Sequence, residues 1–145
     1  NSISGNGYIM YKVIEKGVIR DKKAREYAEQ YIKLLDIATP SINTEVQYLS
    51  GGNQQKVVIA KWLLEDSELI ILDEPTRGID VGAKSEIYRL INKLVSSGKS
   101  VIMISSELPE LIGMCDRIIV MHEGQCMGEL PREEFSQEKI MSLSV

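Results

Sequence analysis

Residues 69–75 read Leu-Ile-Ile-Leu-Asp-Glu-Pro, four consecutive aliphatic residues running directly into two carboxylates and a proline. A short apolar run bounded by polar residues is the pattern of a strand buried on both faces of a parallel sheet. Residues 49–56 read Leu-Ser-Gly-Gly-Asn-Gln-Gln-Lys. Ser50 is a favoured helix cap, and Gly51 and Gly52 bring bare backbone N–H groups to a helix start, where a phosphate can be met. Between Ser50 and Asp73 there is room for one helix and a turn. A strand ending in Asp73 and Glu74 suits the handling of a magnesium ion and an attacking water beside a nucleotide. Each string has a plainer reading as well: Ser50 as an ordinary cap, and Asp73 and Glu74 as a solvated acidic turn before Pro75.

The rest of the chain alternates between helical and strand patterns. From Asp21, a plausible cap, Ala24, Tyr27, Ala28, Tyr31, Leu34 and Leu35 recur at helical spacing. Ser50 opens a second helix carrying Val57, Val58, Ala60, Trp62, Leu63 and Leu64. A third is expected over 83–95, with Ile87, Leu90, Ile91 and Leu94 on one face and Ser96, Ser97 and Gly98 ending it. Val101–Ile104 reads as a second buried strand, Leu108–Met114 as a short helix and Arg117–His122 as a third strand. Glu123 and Gly124 form a tight turn into residues 125–130, giving a hairpin, and residues 131–143 read as a terminal helix. In the first twenty residues, Ile9–Ile14 fits a short strand or part of a helix, while Gly5, Gly7 and Gly17 favour irregular structure. Strand–helix–strand alternation argues for an α/β layered fold. Trp62, the tyrosines and the methionines are expected to fill core or subdomain surfaces.

The strings Leu49–Lys56 and Leu69–Glu74 resemble the signature motif and the Walker B strand of ATP-binding-cassette (ABC) ATPases. Residues 76–80, Thr-Arg-Gly-Ile-Asp, stand where that family carries its D-loop. Residues 53–56 followed by 74–84 are similar to the C-terminal cassette of tandem ATPase subunits that energise bacterial import of ribose, galactose, xylose and similar sugars. The resemblance runs from about residue 22 to about residue 130. It implies a partial P-loop NTPase fold, with a parallel sheet, flanking helices and part of the helical subdomain. Residues 1–64 would belong to that subdomain and 65–145 to the RecA-like core.

For the site, the resemblance implies that Asp73 positions Mg²⁺, that Glu74 polarises the water attacking the γ-phosphate of ATP, and that both are catalytic. Ser50, Gly51, Gly52 and Gln54 would meet ATP held by a second cassette. Asp80 would bridge the cassettes, and a helix-capping role for it is a serious competitor; both can hold at once. Ser106 aligns with the histidine that most cassettes set against the γ-phosphate. Serine has a shorter reach and carries no positive charge, so this cassette's own site is expected to hydrolyse slowly or mainly to bind. The only histidine, His122, lies far downstream before a turn, where a surface role is expected.

No Gly-x-x-x-x-Gly-Lys-[Ser/Thr] string occurs, and Gly5-Asn-Gly7 has no Gly-Lys behind it. The expectation is therefore the C-terminal portion of one nucleotide-binding domain, inactive by itself and prone to self-association through exposed apolar faces. The implied partners are a second cassette, transmembrane permease subunits and, indirectly, a sugar-binding protein, at the cytoplasmic face of the membrane.

With 145 residues, the chain is long enough for a real core. A net charge of −4 speaks against a nucleic-acid footprint. No run of 18 apolar residues and no signal peptide is visible, and two cysteines make neither a disulfide framework nor a zinc site. The alternatives are a soluble cassette protein acting on nucleic acid or ribosomes, and a non-catalytic interaction module that kept a signature helix.

Overall fold

The structure, a computed structural model, describes residues 14–15, 18–19, 21–64 and 67–144. Expectations for Gly5, Gly7, Gly17 and Ile9–Val13 lie outside them. The chain divides into two units, one of residues up to Ile70 with Thr76–Ile102, the other of Ile71–Pro75 with Met103 onward.

In the first unit, β1 (Ile14–Glu15) and β2 (Val18–Ile19) pair antiparallel. Helix α1 (Asp21–Leu34) buries Ala24 and Ala28, one turn apart. Asp21 is its first residue rather than its cap, and Leu34 is half exposed. The helix ends as Asp36 takes a left-handed φ of 51°, with the Ile37 N–H returning to the Ile32 carbonyl at 2.9 Å.

Helix α2 (Gly51–Leu64) follows a 3₁₀ turn over Val46–Tyr48 and buries Gly52, Lys56, Val57, Ile59, Ala60 and Leu64. Val58 and Trp62, one turn apart, face outward, so Trp62 is not core. Helix α3 (Val81–Ser96) packs against α2 and buries Ile87, Leu90, Ile91 and Leu94, the face that its periodicity predicts.

Strands β3 (Leu69–Asp73) and β4 (Ser100–Ile104) pair, and the unit boundary passes through both. The Ser100 N–H donates to the Glu68 carbonyl at 2.8 Å and the Glu74 N–H to that of Ile104 at 2.9 Å. Both strands therefore advance in the same direction, as an α/β fold requires. The expectation of burial on both faces fails here. Ile70 and Leu72 are buried, but Leu69 and Ile71 are 50% and 59% exposed. The apolar run is compatible with two covered faces, yet the described residues cover only one.

In the second unit, α4 (Leu108–Met114) precedes β5 (Arg117–His122), which pairs antiparallel with β6 (Gln125–Pro131). The connecting Glu123 and Gly124 both have positive φ, 46° and 79°, as a two-residue hairpin of type I′ demands. Pro131 ends β6 rather than starting a helix. A 3₁₀ turn over Arg132–Glu134 intervenes, and α5 (Gln137–Leu143) begins only after Ser136, whose hydroxyl accepts from the Lys139 N–H at 3.1 Å. The unit's core is Ile118, Val120, Leu130 and Ile140, flanked by Leu108, Leu111, Ile112 and Phe135. Among the described residues, no helix is long and apolar enough to cross a membrane.

Candidate functional site

Ser50 precedes α2 as its cap. Its oxygen accepts from the Asn53 side-chain amide at 2.8 Å and, more loosely, from the Asn53 N–H at 3.5 Å. Asn53 is held in turn by the Ala38 N–H, which donates to its side-chain oxygen at 2.9 Å. The capping reading of Ser50 is thus realised, and the hydroxyl proton is the group it still has to offer an anion. The first N–H groups of α2, those of Gly51 and Gly52, have no intrahelical acceptor, as in any first turn.

Gln54 turns back: its amide donates to the Leu49 carbonyl at 2.8 Å and the Gln47 carbonyl at 3.5 Å, bracing the backbone that enters the motif. The glycines have a second reason to be glycine. A Cβ on Gly52 would lie 2.6 Å from the Ala83 Cβ on α3, and one on Gly51 would lie 3.1 Å from the Ile79 Cγ2. The motif therefore sits directly against residues 78–83. Asp80 caps α3, its Oδ1 accepting from the Ala83 N–H at 2.9 Å.

Sequence reasoning missed Lys56. It is 5% exposed, its Nζ donating to the Asp36 carbonyl at 2.7 Å and pairing with Glu86 at 2.8 Å. One buried cation thus ties α2 to the end of α1 and to α3. Its position one turn after Gly52 and one turn before Ala60 was the available signal, since all three share the buried face.

The second constellation lies in the other unit. β3 ends at the exposed Asp73, and Glu74 takes a φ of 46°, a left-handed conformation that costs a non-glycine residue free energy. Strand alternation stops there, so the two carboxylates need not diverge. The Glu74 side chain is held: its Oε1 accepts from the Ser106 backbone N–H at 3.1 Å. Ser106 therefore meets Glu74 through its main chain rather than its hydroxyl. Next to it, the Ser105 hydroxyl donates to the buried Glu110 carboxylate and accepts from the Glu107 N–H at 3.1 Å. These two partners were also not anticipated; the five-residue spacing of Ser105 and Glu110 has no periodic signature.

Among the described residues, no group of three or more His, Cys, Asp or Glu is placed to hold a metal ion. Magnesium beside a nucleotide is ordinarily held by one or two carboxylates together with phosphate oxygens and water. A single exposed Asp73 at a strand end fits that donor set.

The Ser-Gly-Gly helix start, the Asp-Glu strand end and the parallel β3–β4 pair are the features that the ABC resemblance calls for. A family model described as ABC transporter matches residues 5–77, just over half of the chain, and the chain belongs to that family. It is 64% identical over 124 residues to the xylose import ATP-binding protein XylG of Thermoanaerobacter pseudethanolicus, covering 86% of this chain and 25% of that relative. It is 51% identical over 145 residues to the ribose import ATP-binding protein RbsA of Clostridium tetani, covering 100% of this chain and 28% of that relative. The chain thus spans about a quarter of the length of the curated relatives it matches.

Among solved structures, it is similar to a dimeric ATP-binding cassette in a post-hydrolysis state bound to ADP and Pi. The TM-score is 0.75 at 24% identity, over 92% of this chain and 58% of that one. A further ATP-binding cassette of an ABC transporter gives a TM-score of 0.78 at 22% identity, over 98% and 62%. These likenesses carry the fold.

Proposed function

We propose that this chain is part of the ATP-hydrolysing subunit of an importer for a pentose or related sugar, working with a second cassette and with permease subunits at the cytoplasmic face of the membrane. The observation that carries the chemistry is the Ser106 N–H held on Glu74 Oε1 at the end of the parallel strand. A carboxylate fixed through one oxygen offers the other to a water, the arrangement a γ-phosphate attack needs. The identity to xylose and ribose import proteins supports the substrate class.

In this reading Glu74 orients the attacking water, and Asp73 holds Mg²⁺, which supplies charge neutralisation at the phosphates when bound. Ser50, Gly51 and Gly52 offer a hydroxyl proton and two N–H groups to the γ-phosphate of ATP held by the second cassette, with Gln54 keeping that loop in register. Asp80 caps α3 and stands at the junction between cassettes. The proposed division is helical subdomain for residues 1–64 and ATPase core for 65–145.

The test is Mg-ATP turnover by the intact protein and its Glu74→Gln and Ser50→Ala variants. Loss of turnover in both, with ATP binding kept in Glu74→Gln, is the expected result. Full turnover in Glu74→Gln would overturn the site assignment.

A further inference from the structure

Ser105 adjoins the residue whose N–H holds the proposed catalytic carboxylate and is bonded to Glu110, and the reaction as described makes no use of either. Glu110 is only 4% exposed. A carboxylate is rarely buried unless a donor satisfies it. One donor is the Ser105 hydroxyl, which donates a hydrogen bond to Glu110 and accepts one from the Glu107 N–H. Its donor is used, and one lone pair is engaged. These two bonds fix the chain on both sides of Ser106. The peptide joining Ser105 to Ser106 carries the N–H that holds Glu74 Oε1. The direction of that N–H is set by the plane of the peptide, which is set by the anchored Ser105.

We propose that Ser105 and Glu110 are positioning residues for Glu74. The buried carboxylate pins the Ser105 hydroxyl, the hydroxyl pins the turn of residues 105–107, and the turn presents the Ser106 N–H to the water-orienting carboxylate. This rests on the functional reading above and deepens it. A side-chain hydroxyl at residue 106 is then not what holds Glu74; a main-chain donor does so, at no cost in side-chain freedom. The strained φ of Glu74 points the same way, because such a conformation persists only where its surroundings over-determine it.

The test uses Ser105→Ala, which deletes the hydroxyl, Ser105→Thr, which keeps it, and Glu110→Gln, which keeps an acceptor but removes the charge. Hydrogen exchange of the Ser106 amide, read by NMR on the chain, is the measurement independent of activity. Exchange should quicken about tenfold in Ser105→Ala, stay at the wild-type rate in Ser105→Thr and fall between in Glu110→Gln. The β5–β6 hairpin amides should stay protected and thereby report an intact unit. In the intact protein, Ser105→Ala should lower kcat about tenfold with KM for ATP within about twofold, and Ser105→Thr should restore it.

Unchanged Ser106 exchange in Ser105→Ala, or equal loss of kcat in the alanine and threonine variants, overturns the proposal. If Glu74→Gln abolishes turnover while Ser105→Ala turns over normally, only the positioning role falls. If Glu74→Gln turns over normally, the functional reading falls and this inference with it.

Discussion

A methyl group added at Gly52 separates two reasons for a glycine. If only phosphate approach mattered, alanine there would stabilise the unliganded chain, since alanine is the better helix former by about 0.5–1 kcal/mol. The 2.6 Å approach to the Ala83 Cβ reverses the sign. Gly52→Ala should destabilise the chain by about 1–3 kcal/mol, read from urea unfolding; a rise in stability would mean that α2 and α3 do not meet there. At Ser106, histidine would add reach and a titratable charge. Ser106→His in the intact protein should raise ATP turnover, and an unchanged rate would dispose of the idea that serine slows this site. The two thiols differ in a checkable way. Burial, then Asp116 and Glu110, push the Cys115 thiol above its usual range, against a lowering by Arg132, while Cys126 is exposed. Labelling with a thiol reagent at pH 8 should reach Cys126 first, because the thiolate is the reactive form.

At the scale of elements, one buried cation joins three segments. Lys56 meets a carbonyl at the end of α1 and a carboxylate on α3, and Glu86 is half exposed, so solvent screens part of the pair. Lys56→Ala should cost about 1–3 kcal/mol, mostly from the lost charge-assisted bond to Asp36 and the lost packing of the lysine stem. A value near zero by chemical denaturation would mean that desolvation of the ammonium cancels both gains. The elements themselves were largely legible. Periodicity located α3 and its buried face, and the Glu-Gly turn located the β5–β6 hairpin, because both signals are local. Local signals misjudged the last helix, since Pro131 closes a strand and Ser136 supplies the better cap. They also over-read the four aliphatics of β3, whose alternate residues are exposed.

Those exposed residues decide the behaviour of the whole molecule. Leu69 and Ile71 on β3, Ile102 and Ile104 on β4, and Ile119 and Met121 on β5 are all about half or more exposed. Large apolar side chains at this many strand positions are rarely all left in water. The chain should form dimers or larger species at tens of micromolar by light scattering, and a clean monomer would show that these side chains are tolerated singly.

The sequence by itself determined the family and the order of elements from α1 to β6, and it singled out the two motif strings, because each depends on residue type and spacing along the chain. Only tertiary structure decided what holds the motifs. Main-chain direction at Ser106, the close approach of Gly52 to Ala83, and the burial of Lys56 and Glu110 depend on which atoms meet after the chain has folded. Residue type constrains such meetings without specifying them. A hydrogen bond from a backbone N–H leaves no mark in the letter at that position, so the sequence singled out Ser106 for its side chain, and the fold uses its peptide.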